Sequence, residues 1–362
     1  MTRAACATSL ALVLIAAPTR ASGGEPETKD PLAAEIARWS AFVRETSSTD
    51  DNWKDLKQSG ESGMTRVEAA LTAGRRLLAL ERLASVRMNL AAFAYVNSLP
   101  ADKRDDAASL DSEIARVGAL PGITSQPSRS ALDGVQPAAV RAEGEAVLPQ
   151  VRNYYDTASD YGRATTPWSG HFYLGVAQAQ RDFVAFCRTL SARTDLTAPP
   201  LRSLTVELDA LEADLLKAYR PPASIDRHSE FIGASAALKE ARELDAAGLR
   251  YGALLRYLQA AMRIDALRAG ALPPDPTGVA AKLEAFESRL LQGRVDHSIG
   301  RIFLETAQAH SVPGAPGANP AFADAIVRDV LPRYFAALGP AVAQPKKPAP
   351  SVAVTLVRWP YT

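Results

Sequence analysis

Residues Ser235 to Arg268 read SAALKEARELDAAGLRYGALLRYLQAAMRIDALR. Apolar side chains recur every three or four positions on both sides of Gly248. That spacing predicts two amphipathic helices folded back on each other at the glycine. The stretch is dominated by Ala, Leu, Arg and Glu, which lose little rotamer freedom in a helix.

A second stretch repeats the pattern. Shifting the chain by 174 positions lays AGRRLLALERLASVRM, 73–88, on AGLRYGALLRYLQAAM, 247–262. Gly74 then falls on Gly248, Arg76 on Arg250, Ala79 on Ala253, Leu80 on Leu254 and Arg82 on Arg256. The helices before the glycines also align in apolar phase, with Met64 on Leu238, Val67 on Ala241 and Ala70 on Leu244. The match predicts an internal repeat, with each glycine in an inter-helix turn.

The series Gly248, Ala253, Tyr257 and Ala260 resembles the second-helix signature of a tetratricopeptide repeat, and Ala241 matches the small residue that the family sets opposite it. The first copy keeps Gly74 and Ala79, and Leu283–His310 with Gly293 is a third, more distant unit. Ala237 and Leu244 stand where the family has aromatics, and the closing proline is missing. The resemblance implies stacked antiparallel helix pairs and a groove that receives a protein or peptide.

Outward from the two copies the expected fold is all-α. It consists of antiparallel helix pairs, partly a tetratricopeptide-like array, with a short β-like C-terminal tail. The expected sections are a signal peptide at 1–21, a disordered leader at 22–29 and a helical section at 30–135. A long-helix section at 136–222, a second helical section at 223–339 and a proline-rich linker with the tail at 340–362 follow. Asp30-Pro31 reads as a helix start. Asp51 or Asn52 is expected to cap a short helix carrying Trp53 and Leu56. Pro149 predicts a kink or break in 137–162, Ser169 a helix cap, and Asp226 the cap of the helix entering the central pair. Val352, Val354 and Leu356 alternate in the tail as in a strand.

The opening MTRAACATSLALVLIAAPTRA has a basic start, an apolar run and small residues at its end. It reads as a secretory signal peptide, so the expectation is export to the periplasm or outside the cell. The whole chain carries a formal charge of +1, and loss of residues 1–21 removes Arg3 and Arg20 and no acid. A near-neutral chain with interspersed signs argues against nucleic acid as a partner. The expected partner is another exported protein or peptide, and no later segment is apolar enough to span a membrane. Beyond residue 21 only Cys187 remains, within the apolar stripe of DFVAFCRTL, which suits a buried thiol.

No HExxH, CxxC or dinucleotide fingerprint occurs, so no cofactor, metal or catalytic residue is expected. Asp226, His228 and Glu230, or Asp296 with His297, read as surface or capping residues. Ser169 stands two residues from His171, but Pro167 occupies the first glycine position that a nucleophile elbow needs. The candidates for binding are aromatic. Tyr154, Tyr155, Tyr161, Trp168, His171 and Tyr173 cluster where one helix ends and the next begins, and Tyr and Trp join apolar area to a polar tip. Arg76 and Arg250 hold equivalent places in the two copies, where a guanidinium can clamp a partner's carboxylate. The expectation is an exported, non-enzymatic scaffold or protein-binding module. The alternative is a small-molecule-binding protein using the aromatic junction.

Overall fold

The computed structural model describes residues 30–339 except 223, 269–275, 313, 315 and 316. The segments expected to be a signal peptide, a leader and a proline-rich linker with a β-like tail, 1–29 and 340–362, lie outside the described residues. Within them the protein is all-α. Six helices come first: α1 (Pro31–Glu45), α2 (Asp51–Thr72), α3 (Arg76–Ser98), α4 (Ala107–Gly118), α5 (Ala138–Ala164) and α6 (Pro167–Thr189). Six more follow: α7 (Thr205–Ala218), α8 (His228–Ala246), α9 (Arg250–Arg268), α10 (Pro276–Leu290), α11 (Ser298–Ser311) and α12. The last runs from Pro320–Ala325 through a π-turn, Ile326–Val330, into Leu331–Ala337. The π-turn ends just before Pro332, which has no N–H to continue the ordinary ladder. Two isolated bridges, Thr197 with Val295 and Leu201 with Leu338, tie the connections together.

The two sets of six pack in the same order. α1 lies on α2 as α7 lies on α8, and α2–α3 is paired as α8–α9 is. α4 rests on α6 as α10 rests on α12, and α3 meets α6 as α9 meets the π-turn of α12. The turns of the paired helices match atom for atom. Gly74 has φ 73° and Gly248 has φ 75°, the left-handed region that glycine enters without a Cβ penalty. The Gly74 amide donates to the Leu71 carbonyl at 2.9 Å and the Gly248 amide to Asp245 at 3.0 Å. The next amides, of Arg75 and Leu249, reach back to Ala70 and Leu244, each at 2.9 Å.

The halves are joined through their long helices. α5 packs on α6 in its own half and on α9 in the other, while α11 packs on α3. One apolar core runs from α5 through α7–α12 around Leu254, Leu258, Phe303 and Tyr334. A second joins α1–α3 to α6 around Trp53, Phe93 and Phe183, and a third sits under α4. Trp53 and Phe93 stack at 4.4 Å.

Several local expectations are corrected. α2 is one helix from Asp51, capped by Asp50, and passes straight through Gly60 and Gly63. These glycines face α3: a Cβ on Gly63 would lie 2.0 Å from Val86 Cγ2, and one on Gly60 2.9 Å from Leu90 Cδ2. They serve close approach, and tertiary packing overrides their poor helix propensity. α5 continues unbroken past Pro149. Thr166, not Ser169, caps α6, because Pro167 starts the helix earlier and the Ser169 amide donates to Thr166 Oγ1 at 3.3 Å. A short 3₁₀ turn, Ile225–Arg227, moves the start of α8 past Asp226, which caps nothing.

Candidate ligand-binding cleft

The aromatic junction is distributed over three places. Tyr154 leaves α5 and stacks on Tyr173 of α6, with ring centroids 6.1 Å apart. Trp168 stacks on Phe172 at 5.5 Å, and its Nε1 donates to Asp50 Oδ2 at 3.2 Å. These two rings line an apolar groove against α2 with Leu56 and Phe93. Tyr155 turns to α4 and donates to the Ile114 carbonyl at 3.2 Å. Tyr161 lies on α5, and its side chain is outside the described residues. His171 is fully buried. Burial pushes its imidazole below the usual range, opposed by the Lys103 carbonyl and by the carboxylates of Glu113, Asp105 and Asp106.

Tyr154 borders a cleft that also holds two carboxylates. The cleft, about 200 Å³, opens between α5 and α8 and is lined by Pro149, Gln150, Asn153, Tyr154, Glu240 and Glu243, among others. Gln150 is fixed from behind, since its Oε1 accepts from Gln180 Nε2 at 2.7 Å. Glu240 pairs with Arg256 Nε of α9 at 2.8 Å. Burial, the Glu240 carboxylate and Tyr173 raise the Tyr154 phenol above its ordinary range, against Arg256.

Arg256 continues the charges inward. Its Nη1 donates to Gln259 Oε1 at 2.7 Å, and Gln259 Nε2 donates to Glu81 Oε1 of α3 at 3.1 Å. Beside Glu81 lies Glu143 of α5, only 3% exposed, whose Oε1 has no hydrogen-bond partner. Burial and then the neighbouring Glu81 push Glu143 up to about 8, with Arg256 opposing. Burial likewise raises Glu81, opposed by Arg82, Arg256 and Gln259. Burial and the neighbouring carboxylate thus both favour the protonated, neutral form of Glu143. Glu143 and Gln259 were missed in the sequence because polar residues on Ala-rich helices read as a solvated face. A usable signal was Glu143 and Glu145 lying inside the apolar run AAVRAEGEAVL.

The two equivalent arginines are engaged within the chain. Arg76 grips Asp30 through both terminal nitrogens, with Nη2 to Oδ1 at 2.7 Å. Arg250 pairs with Asp245, which also accepts from the Ser203 hydroxyl. Neither Ser169 nor His171 forms a nucleophile–base pair: Ser169 Oγ bonds Thr166 Oγ1 at 2.9 Å, and neither ring nitrogen of His171 has a hydrogen bond of good geometry among the described residues. His228 and His297 bond the hydroxyls of Tyr219 and Tyr334, each at 2.8 Å. Among the described residues no three His, Cys, Asp or Glu side chains gather for a metal. None of the described helices is long and apolar enough to cross a membrane.

Comparison of the chain with protein-family models, with curated proteins and with solved structures returned no match.

Proposed function

We propose that this is an exported binding protein whose ligand is a small, polar, amine-bearing molecule held in the cleft between α5 and α8. Support for export is the apolar run with small residues at 4–21. The observation that carries the ligand class is that Tyr154, Glu240 and Glu243 line the same cleft. Glu240 is already neutralised by Arg256, while Glu243 is exposed and its lysine partner, Lys239, stands 3.9 Å away. A tyrosine face and a weakly paired carboxylate together suit an ammonium group, and Gln150 and Asn153 add amide contacts. The volume suits a compact molecule rather than a peptide.

Titration calorimetry with putrescine, using 1,4-butanediol as the neutral control, tests this. The diamine is expected to bind and the diol not. Tyr154→Ala and Glu243→Gln should each weaken the diamine by about tenfold or more. Equal heats from both compounds, or full affinity in both variants, would discard the reading.

A second reading, docking of an exported protein, rests on exposed apolar side chains of α7, α8 and the turn between them. Val206, Leu216, Ile225 and Ile232 are 74, 62, 59 and 53% exposed. In that reading α8–α9 is a tetratricopeptide-like pair, with Ala241, Ala253 and Ala260 fully buried. Replacing the four exposed residues by serine abolishes capture of a partner in this reading and leaves putrescine binding intact.

A further inference from the structure

A larger groove, of about 510 Å³, lies on another face, between α1, α3 and α6. α3 and α6 come unusually close here. A Cβ on Gly175 would stand 2.8 Å from Ala92 Cα and 3.0 Å from Tyr95 Cβ. Small residues, Ala91 and Ala179 among them, keep the groove open, and Trp39, Tyr95 and Phe186 give it aromatic walls.

Arg87 of α3 also lines this groove, although it is only 2% exposed. A guanidinium has five N–H donors in a planar fork. Here one is used in a hydrogen bond, Nη1 to the Ala179 carbonyl at 2.9 Å, while the group lies 5.0 Å from the Phe183 ring centroid. Arg87 Nε has no hydrogen-bond acceptor, and the nearest carboxylate oxygen recorded for it, Glu35 Oε1, is 3.8 Å away. That oxygen is already taken by Arg38 Nη2 at 2.7 Å and by Trp39 Nε1 at 2.8 Å. Asp182, the other acid along the groove, is held by Arg181 at 2.9 Å. Gln178 lines the same groove, and its buried Nε2 has no acceptor either.

Two buried donors of the groove, Arg87 Nε and Gln178 Nε2, thus have no acceptor, although the carboxylates of Glu35 and Asp182 stand along the same groove. Both of its acids are hydrogen-bonded to other arginines, and Arg87 keeps only a long ion pair to Glu35, with no carboxylate in hydrogen-bond range of its Nε. We propose that this groove binds the carboxylate of a small molecule with an apolar or aromatic body. Arg87 and Gln178 meet the carboxylate, and Trp39, Tyr95 and Phe186 cover the body. A carboxylate matches the edge of a guanidinium fork and replaces the water lost on burial. The site shares no lining residue with the α5–α8 cleft, so either assignment can fail without the other.

The test uses ¹⁹F NMR of 4-fluorophenylacetate, with 4-fluorophenylacetamide as its uncharged isostere. The acid is expected to broaden on adding the protein and the amide to bind about tenfold more weakly or worse. Arg87→Met removes the fork at similar volume and should abolish the difference between acid and amide. Because loss of a buried arginine can alter folding, Arg87→Lys and Ala91→Leu serve as companions. The first keeps the charge and loses the fork, and the second narrows the groove with Arg87 intact. Both should weaken the acid. No broadening of the acid at any attainable concentration overturns the proposal, as do equal affinities for acid and amide or unchanged binding in the folded variants.

Discussion

Glu145 and Glu305 each place a carboxylate on the first amides of a helix in the opposite half. Glu145, on α5, accepts from the Tyr251 and Gly252 amides of α9 at 2.9 and 3.1 Å. Glu305, on α11, accepts from the Leu78 amide of α3 at 2.9 Å. Each is gripped by an arginine one turn earlier, Arg141 at 2.8 Å and Arg301 at 3.2 Å. Leu78 and Gly252 are related by the same shift of 174 positions as the two glycine turns. A helix start carries unpaired amides and partial positive charge, so a buried carboxylate there satisfies both.

Glu145→Gln and Glu305→Gln should therefore each destabilise the fold by about 1–3 kcal/mol, because a buried charge-assisted bond is weakened and an arginine loses its partner. Urea unfolding measures this. Losses below about 0.5 kcal/mol in both, the size of ordinary surface changes, would show that these carboxylates do not join the halves.

The Glu143 acid sets a direction for pH. Folded Glu143 titrates at about 8 against an ordinary 4.5, so across that window the folded state keeps a proton that the unfolded state has released. Its contribution is complete below 4.5 and is lost as the pH rises to 8, at up to about 1.4 kcal/mol per pH unit. Asp265, raised to about 7 by burial and Asp329, acts in the same direction. Urea midpoints from pH 5 to 9 should fall for the wild type and fall less for Glu143→Gln. Parallel curves would refute the assignment.

Gly74→Ala and Gly248→Ala should cost the same, about 1–2 kcal/mol each, since both sit at φ near +75°. No atom lies within 4 Å of a Cβ on Gly74, so there the cost is purely conformational. Gly63→Ala should cost more, through its collision with Val86. Thermal unfolding of the three variants checks the order.

Cys187 is wholly buried against Gly144, and burial pushes its thiol far above the usual range, with Glu143 adding and Arg87 opposing. In a chain starting at residue 22, iodoacetamide should modify it only as fast as the protein unfolds, with urea restoring full reactivity. Alkylation at the rate of a free thiol in native buffer would contradict this burial.

Local patterns carried much of the architecture. Helical periodicity, the Asp30-Pro31 start and the glycines at 74 and 248 are short-range signals, because a helix and its turn are governed by residues within four positions of one another. The reverse holds for Gly60, Gly63 and Asp226. Whether a glycine breaks a helix or admits a neighbour depends on Val86 and Leu90, which lie a helix away. The same limit governs function. Tyr154 was legible as an aromatic at a junction, but its placing beside Glu240 depends on how α8 lies on α5. Arg76 and Arg250 were legible as equivalent, while their commitment to Asp30 and Asp245 was not. What the sequence by itself determined is the helical class, the paired turns and the buried thiol. Only the tertiary structure decided which charges became partners and which, like Glu143 and Arg87, were buried with donors or acceptors to spare. Charge pairing and desolvation depend on distances between residues far apart in the chain.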